Sequence, residues 1–149
     1  MFNWLRQDIE IADCNVLDLF CGSGVLGLEA MSRGAVCACF VDHNMESLVG
    51  IGSLLTRLNA IHKATLINEE VSSWLGHNTG KQYDLVFLDP PFALENPAIY
   101  LSKVKHLVKK NGLVYLENKC STSITLDSEV ECWRSGRAGT VYYGLYRIL

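Results

Sequence analysis

The chain alternates short apolar runs with longer segments in which apolar residues recur at helical spacing, and this alternation constrains the fold more than any other feature. The short runs are nearly continuous in apolar side chains, which is typical of parallel strands covered on both faces. Five runs are predicted as such strands: Asn15 to Phe20, Ala38 to Asp42, Ala64 to Asn68, Tyr83 to Asp89 and Gly112 to Glu117.

Helices are predicted between these strands, because the intervening segments end at residues that terminate helices. They are Gly24 to Arg33 before Gly34, Met45 to Leu58 before Asn59, and Ala98 to Lys110 between Pro97 and Asn111. Near the end of the chain, Glu129 to Arg134 and Thr140 to Ile148 flank a glycine-containing stretch with no helix between them, which predicts an antiparallel hairpin. The expected fold is α/β: five parallel strands, helices on both faces, and a C-terminal antiparallel hairpin.

Composition supports one domain over residues 1–149, since 49% of the residues are hydrophobic and 19% are charged. The six cysteines form no C-x-x-C pair, so we expect free thiols and no metal site. No apolar run approaches the ~18 residues of a membrane span, and no secretory leader is evident. We therefore expect a cytoplasmic protein without a membrane partner.

Charge is distributed unevenly along the chain. Met1 to Ser102 carry 5 basic and 12 acidic residues, whereas Lys103 to Leu149 carry 8 basic and 4 acidic ones. The basic C-terminal third, including Lys109 and Lys110, is an expected contact face for a polyanion such as RNA. The alternative is that these lysines are the solvated face of the predicted third helix.

A glycine loop follows the first predicted strand. Gly22, Gly24 and Gly27 form G-x-G-x-x-G between a strand and a helix, where glycines allow a tight turn, close approach of a ligand to the backbone, and packing of the helix on the sheet. The start of the following helix offers unpaired N–H groups. The sequence therefore predicts a nucleotide-type cofactor site at this loop.

Two acids near the loop indicate which cofactor it binds. Asp18 precedes the first glycine by four residues, where a negative charge disfavours a pyrophosphate and suits the ammonium and sulfonium groups of S-adenosylmethionine. Asp42 follows Gly22 by twenty residues, the spacing of the acid that accepts ribose hydroxyls. The structural alternatives are that Asp18 caps the following turn and that Asp42 caps a helix, a role that Asn44 could fill instead.

A third acid follows the third predicted strand. Glu70 would lie near the adenine if Asp42 held the ribose, and it could accept a hydrogen bond from the adenine amino group. The alternative is structural, because acids are common in a first helical turn.

The fourth predicted strand ends in Asp89-Pro90-Pro91-Phe92, the most specific motif in the chain. Two prolines cannot continue a strand, so they hold the backbone rigid at the carboxyl edge of the sheet, where α/β folds bind ligands. The Asp89 carboxylate and the Pro90 carbonyl could accept both hydrogens of a ring amino group while Phe92 stacks on the ring. The alternative is a proline-rich strand terminator.

This arrangement predicts methyl transfer to an amino group. A ring-conjugated amino nitrogen is a poor nucleophile, and acceptance of its protons makes it more reactive. Positioning is then the main catalytic contribution, with Asp89 as a possible proton acceptor.

The run from Asp18 to Gly24, followed by Gly27 to Ala30 and Ser32 to Ala35 and taken with the Asp89 to Phe92 motif, resembles class I methyltransferases. More narrowly, it is similar to the bacterial guanine-N2 methyltransferases of 16S ribosomal RNA, and Phe2 to Leu5 and Tyr142 to Tyr146 match that family too. The resemblance implies a Rossmann-like, mostly parallel seven-stranded sheet whose final strand is inserted antiparallel. It also implies methylation of 16S ribosomal RNA, in an assembling small subunit, with S-adenosylmethionine as cofactor.

The resemblance also implies roles for individual residues. Asp89, Pro90, Pro91 and Phe92 would hold the target guanine as the catalytic set. The cofactor would contact the following residues: Asp18, Phe20, Gly22, Gly24, Asp42, His43, Glu70 and Val71.

In that family a basic segment precedes the stretch that corresponds to Phe2 to Leu5, whereas Met1 stands directly before it here. The resemblance therefore predicts that this chain lacks the family's N-terminal segment, and a truncated, inactive cofactor-binding module stays open as a hypothesis.

Enzymes that methylate adenine N6 in nucleic acid or a glutamine amide in protein share the Pro-Pro motif and are further alternatives. Outside this class, the glycine loop with Asp42 also permits an NAD-dependent oxidoreductase.

Overall fold

The structure is a computed structural model that describes Leu5, Gln7 and residues 9–91, 98–118 and 126–149. The described strands form one seven-stranded sheet in the order β3-β2-β1-β4-β5-β7-β6. Their bounds are β1 Asn15–Leu19, β2 Cys37–Asp42, β3 Ala64–Asn68, β4 Tyr83–Leu88, β5 Val108–Asn118, β6 Val130–Ala138 and β7 Val141–Ile148. β1 to β5 are parallel, and β7 pairs antiparallel with β5 and β6. The predicted parallel sheet and its C-terminal hairpin are confirmed.

Four described α-helices cover the sheet, with three single 3-10 turns between elements. The helices are α1 Val25–Ser32, α2 Met45–Arg57, α3 Val71–His77 and α4 Ala98–Val104; the turns are Ile11–Asp13, Ile61–Lys63 and Lys105–Leu107. None of these helices is long and apolar enough to cross a membrane.

Two buried clusters, one on each face of the sheet, join the helices to the strands. Side chains of α1 and α2, such as Ala30 and Leu48, pack with Phe40 on one face. Side chains of α3 and α4, such as Trp74 and Leu101, pack on the other face. Burial on both faces explains why the central strands are almost continuously apolar.

Helix α2 illustrates how local sequence sets an element. Its buried residues Leu48, Ile51 and Leu55 recur at helical spacing. Asn44 caps its start, because the Asn44 side chain accepts hydrogen bonds from the backbone N–H groups of Glu46 and Ser47. The helix ends before Asn59, which has a φ of +53°. Asn44 thus fills the cap that was the structural alternative for Asp42.

The prediction of one helix from Ala98 to Lys110 is wrong at its end. Helix α4 stops at Val104, and β5 already begins at Val108. The register of β5 against β4 shifts between the Tyr83–Val108 and Leu85–Leu113 pairs, so the intervening residues bulge out of the ladder. Asn111, with a φ of +64°, lies in this bulge. Asn111, which predicted the end of a helix, therefore marks a bulge inside a strand.

The lysines of this region have a different environment from the predicted one. Lys109 is in β5, and its Nζ lies 2.8 and 2.9 Å from the two carboxylate oxygens of Asp84 at the amino end of β4. Lys110 is the next residue. Both lysines therefore lie at the edge of the sheet opposite the glycine loop, neither on a helix nor beside the candidate site.

The hairpin also differs in detail, since β6 extends to Ala138 and absorbs most of the predicted loop. The turn is reduced to Gly139 and Thr140, and Gly139 has a φ of +60°. After a register shift between Cys132 and Arg134, edge strand β6 pairs with β7 from Arg134 to Ala138, which is why the glycine-containing stretch could remain extended.

Candidate functional site

The strand order places the glycine loop and the Asp-Pro-Pro motif next to each other. β1 lies between β2 and β4, so the connections after β1 and after β4 leave the sheet in opposite directions. Such a switch point opens a crevice at the carboxyl ends of the two strands, where α/β folds bind ligands. The two strongest motifs of the sequence therefore meet in one crevice.

The glycine loop turns tightly from β1 into α1. Phe20, Gly22 and Gly24 all have positive φ values, +57°, +50° and +78°. The backbone N–H of Gly24 donates to the Cys21 carbonyl at 2.7 Å, which closes the turn. A side chain added at Gly22 would meet no atom within 4 Å, so this glycine faces open space that a ligand can enter. At Gly24 an added Cβ would lie 2.7 Å from the Ile51 side chain.

Asp18 lies beneath the loop and is only 2% exposed. Its Oδ2 accepts a hydrogen bond of 2.9 Å from the backbone N–H of Gly27 in α1. Burial raises the pKa of Asp18 to about 8, helped by the charges of Asp89 and Asp42 and opposed by the hydrogen bond from Gly27. Asp18 thus binds the first turn of α1, which is the structural alternative considered for it. A nearby cation would stabilise the ionised form of its carboxyl group.

Gly27 is required by packing. A Cβ at this position would lie 2.4 Å from Cε1 of Phe40 and 2.9 Å from Oδ2 of Asp18. The missing side chain lets α1 sit directly on β1 and β2, as the third glycine of the motif predicted.

Replacing Gly27 with Ala is therefore expected to push α1 away from the sheet and to destabilise the fold by about 2 to 3 kcal/mol. Urea unfolding measures the effect. The matched control is Gly50→Ala in α2, where an added Cβ meets nothing within 4 Å and should stabilise the helix by about 0.5 to 1 kcal/mol. Equal unfolding midpoints for the two variants would contradict this account.

Asp42, at the end of β2, orients the loop. Its Oδ2 accepts from the Gly22 N–H and its Oδ1 from the Asn44 N–H, both at 2.8 Å. A carboxylate can accept about four hydrogen bonds, so capacity for a ligand hydroxyl remains. His43, which was predicted in the cofactor set, is exposed, and its Nδ1 lies 3.5 Å from Oδ1 of Asp42.

The end of β3 is tied to the end of β2. The Asn68 side-chain amide donates to the backbone carbonyls of Asp42 and His43, at 3.2 and 2.9 Å. Glu70 follows as the exposed residue that precedes α3, without a side-chain cap bond, and Val71 is buried. Sequence reasoning missed Asn68, whose only signal is an amide at the end of an apolar strand.

Phe20 packs across the crevice against α4. Its ring makes an edge contact with Tyr100, with centroids 5.0 Å apart. The Tyr100 hydroxyl lies 3.3 Å from Oγ of Ser72 in α3. Phe20 thus connects the glycine loop to the helices on the other face of the sheet.

The Asp-Pro-Pro motif begins directly after β4. Asp89 is half-buried, Pro90 is buried and Pro91 is exposed, whereas Phe92 lies outside the described residues. Burial raises the pKa of Asp89 to about 6, with a further contribution from the negative charge of Glu117. This carboxylate is ionised at neutral pH and close to the range in which it can take up a proton.

Glu117 and Tyr115 of β5 complete the site, and sequence reasoning did not single them out. The Tyr115 hydroxyl donates to Oε1 of Glu117 at 2.7 Å. Glu117 is the acid at the end of a predicted apolar strand, and this position is the sequence signal that could have identified it. Together, one acid from each of four neighbouring strands forms what we call the carboxylate row: Asp42 of β2, Asp18 of β1, Asp89 after β4 and Glu117 of β5.

All five described cysteines are free, and Cys14, Cys21 and Cys39 are buried. Burial raises the pKa of Cys14 to about 11, so its thiol stays protonated at neutral pH. In the described ranges no three side chains of His, Cys, Asp and Glu are grouped to hold a metal ion.

Comparison with known proteins identifies relatives along nearly the whole chain. A family model described as "Conserved hypothetical protein 95" matches residues 1–147. The "Ribosomal RNA small subunit methyltransferase D" of Buchnera aphidicola subsp. Acyrthosiphon pisum (strain APS) is 34% identical over 126 residues, 83% of this chain and 64% of that protein. Its namesake from Escherichia coli (strain K12) is 33% identical over 150 residues, 99% of this chain and 74% of that protein.

Solved structures of methyltransferases are similar to this chain as well. The Escherichia coli protein yhhF has a TM-score of 0.89 at 31% identity, covering 99% of this chain and 82% of that one. Coclaurine N-methyltransferase, bound to N-methylheliamine and SAH, has a TM-score of 0.64 at 21% identity, covering 78% of this chain and 34% of that one, and it supports the fold alone. The crevice, the sheet order and these matches lead to one conclusion: the chain belongs to the family of the ribosomal RNA small subunit methyltransferases D, within the class I methyltransferase fold.

Proposed function

We propose that the protein transfers a methyl group from S-adenosylmethionine to the N2 amino group of a guanine in 16S ribosomal RNA. The observation that carries the proposal is the meeting of the glycine loop and the Asp-Pro-Pro motif at one switch point of the sheet. The name of the relatives supports small-subunit ribosomal RNA as the substrate. We further propose that this RNA is presented in an assembling small subunit.

The residues of the crevice fit S-adenosylmethionine. Gly22 leaves room for a ligand, and the acids of the carboxylate row lie along the same edge of the sheet, where a bound cation would favour their ionised forms. Asp18, Phe20, Gly22 and Gly24 would hold the methionine end, Asp42 and His43 the ribose, and Glu70 and Val71 the adenine. When bound, the cofactor supplies a methyl group on a sulfonium.

At the target, the chain's own groups orient the base and accept its proton. The Asp89 carboxylate and the Pro90 carbonyl would accept the two amino hydrogens. Pro91, and Phe92 outside the described residues, are proposed from the sequence motif to help hold the base. Asp89 would then take the proton that the nitrogen loses as it gains a carbon. Positioning of this nitrogen accounts for most of the expected rate enhancement.

A methylation assay tests the proposal. Small subunits, naked 16S ribosomal RNA, DNA and a glutamine-containing protein would each be incubated with labelled S-adenosylmethionine, digested, and examined by mass spectrometry. We expect N2-methylguanosine in the RNA of the small subunits and no methylated product from the other three acceptors. Another methylated product, or cofactor binding without transfer to any acceptor, would overturn the proposal.

A further inference from the structure

The carboxylate row brings two acids side by side at the target end of the crevice. Leu88 of β4 pairs with Leu116 of β5 in parallel register, and each is followed directly by an acid, Asp89 and Glu117. Neighbouring strands lie about 4.8 Å apart, and side chains in register share a face. Asp89 and Glu117 therefore present adjacent acceptor groups, and the charge of Glu117 contributes to the raised pKa of Asp89.

Glu117 is held in a defined orientation. Tyr115, two residues earlier on the same face of β5, is only 3% exposed and donates its hydroxyl to Oε1 of Glu117 at 2.7 Å. Burial raises the pKa of Tyr115 above its ordinary value, so the hydroxyl remains a donor at all working pH values. A buried donor that binds one oxygen directs the other, Oε2, in a fixed direction.

Two adjacent carboxylates match one kind of base edge. The Watson–Crick edge of guanine carries two neighbouring donors, the N1–H and the N2 amino group, whereas adenine places an acceptor, N1, beside its amino group. Ionised carboxylates only accept hydrogen bonds. A carboxylate pair therefore complements guanine and opposes adenine.

We infer that Glu117 accepts the N1–H of the target guanine while Asp89 accepts its amino group, so that Glu117 selects guanine. This inference rests on the proposed function. A site built around a charged acceptor rejects a base that presents a lone pair instead, because both groups are then desolvated without a hydrogen bond.

The analogue 2-aminopurine tests this directly, because it keeps the 2-amino group but lacks the N1–H. Small-subunit RNA would be prepared with guanine or 2-aminopurine at the methylated position, and kcat/KM would be measured for each. We expect the natural enzyme to prefer guanine by about 100-fold or more. In Glu117→Gln the amide can turn its NH₂ toward the bare N1, and the preference should fall by about 10-fold or more.

Two further variants keep the result interpretable. Glu10→Gln removes an exposed carboxylate before β1, at the opposite edge of the sheet, and should retain the natural preference. Tyr115→Phe releases Glu117 but leaves it an acceptor, so guanine should still be preferred while kcat/KM falls by about 3- to 10-fold. The preference is a ratio measured on one preparation, so a partly folded variant does not distort it.

Each outcome has one meaning. An unchanged preference in Glu117→Gln, or a natural enzyme that methylates both bases equally, overturns the role of Glu117 while the proposed function stands. Absence of transfer to guanine by the natural enzyme overturns the proposed function and the inference with it.

Discussion

Replacing Asp18 with Asn is expected to stabilise the cofactor-free protein at neutral and alkaline pH and to abolish binding of S-adenosylmethionine. Burial raises the pKa of Asp18 from 3.8 to about 8. Between these values the folded state retains a proton that the unfolded state releases, so the stability of the natural protein falls as the pH rises through this window. The introduced amide oxygen would still accept the Gly27 N–H without carrying a charge.

The stability of Asp18→Asn relative to the natural protein should rise by about 3 to 4 kcal/mol from pH 4 to pH 7, while burial of the amide NH₂ subtracts a cost that is the same at every pH. Chemical denaturation from pH 4 to 8 measures it. The control, Asp13→Asn, changes an exposed carboxylate in the 3-10 turn before β1 and should follow the natural curve. Parallel stability curves for Asp18→Asn and the natural protein would show that Asp18 is not held protonated.

Calorimetric titration examines the same residue from the ligand side. If Asp18 meets the cationic end of the cofactor, binding should release a proton at pH 7, so the measured enthalpy should vary with the ionisation enthalpy of the buffer. Asp18→Asn should show neither this variation nor saturable binding. Binding of natural affinity by the variant would remove Asp18 from the cofactor set.

Replacing Asp89 with Ala is expected to reduce methyl transfer by about 100- to 10,000-fold and to leave cofactor affinity within about threefold of the natural value. Under the proposed function, the amino group then loses one acceptor and the reaction loses its proton acceptor, whereas the residues proposed to hold the cofactor remain in place. Single-turnover transfer and calorimetry separate the two effects. Loss of cofactor binding, or retention of activity, would contradict the assignment of Asp89 to the target base.

The pH profile gives an independent readout for Asp89. Its pKa is about 6, raised by burial and by Glu117 of β5, with Asp18 of β1 as the further acid nearby. If Asp89 accepts the proton as proposed, transfer requires the ionised carboxylate, and the rate should fall as the pH drops below about 6. In Asp89→Asn, whose amide oxygen still accepts a hydrogen bond, this acid limb should disappear and the rate should stay low throughout.

Much of the architecture follows from local patterns. Continuous apolar runs predicted β1 to β5, and Asn44 and Asn59 marked the ends of α2 because their side chains and backbones suit those positions. The glycine spacing predicted a tight turn and a packed helix, and the geometry at Gly22 and Gly27 agrees. These features depend on residues close together in the chain, where propensity and sterics act directly.

Long-range pairing decided the rest. Residues Val108 to Lys110 are extended because β5 pairs with β4 across a bulge, although their local pattern favoured a continued helix. Lys109 faces Asp84 for the same reason.

The sequence was sufficient to identify the glycine loop, the Asp-Pro-Pro motif and the acidic residues near them. It was not sufficient to identify the neighbours of these acids, because sheet order joins residues far apart in the chain, as it does Asp89 and Glu117. Desolvation and the proximity of like charges then shift the protonation of groups that composition alone would treat as ordinary carboxylates. Residue identity thus determined which chemical groups are present, and tertiary packing decided which of them act together.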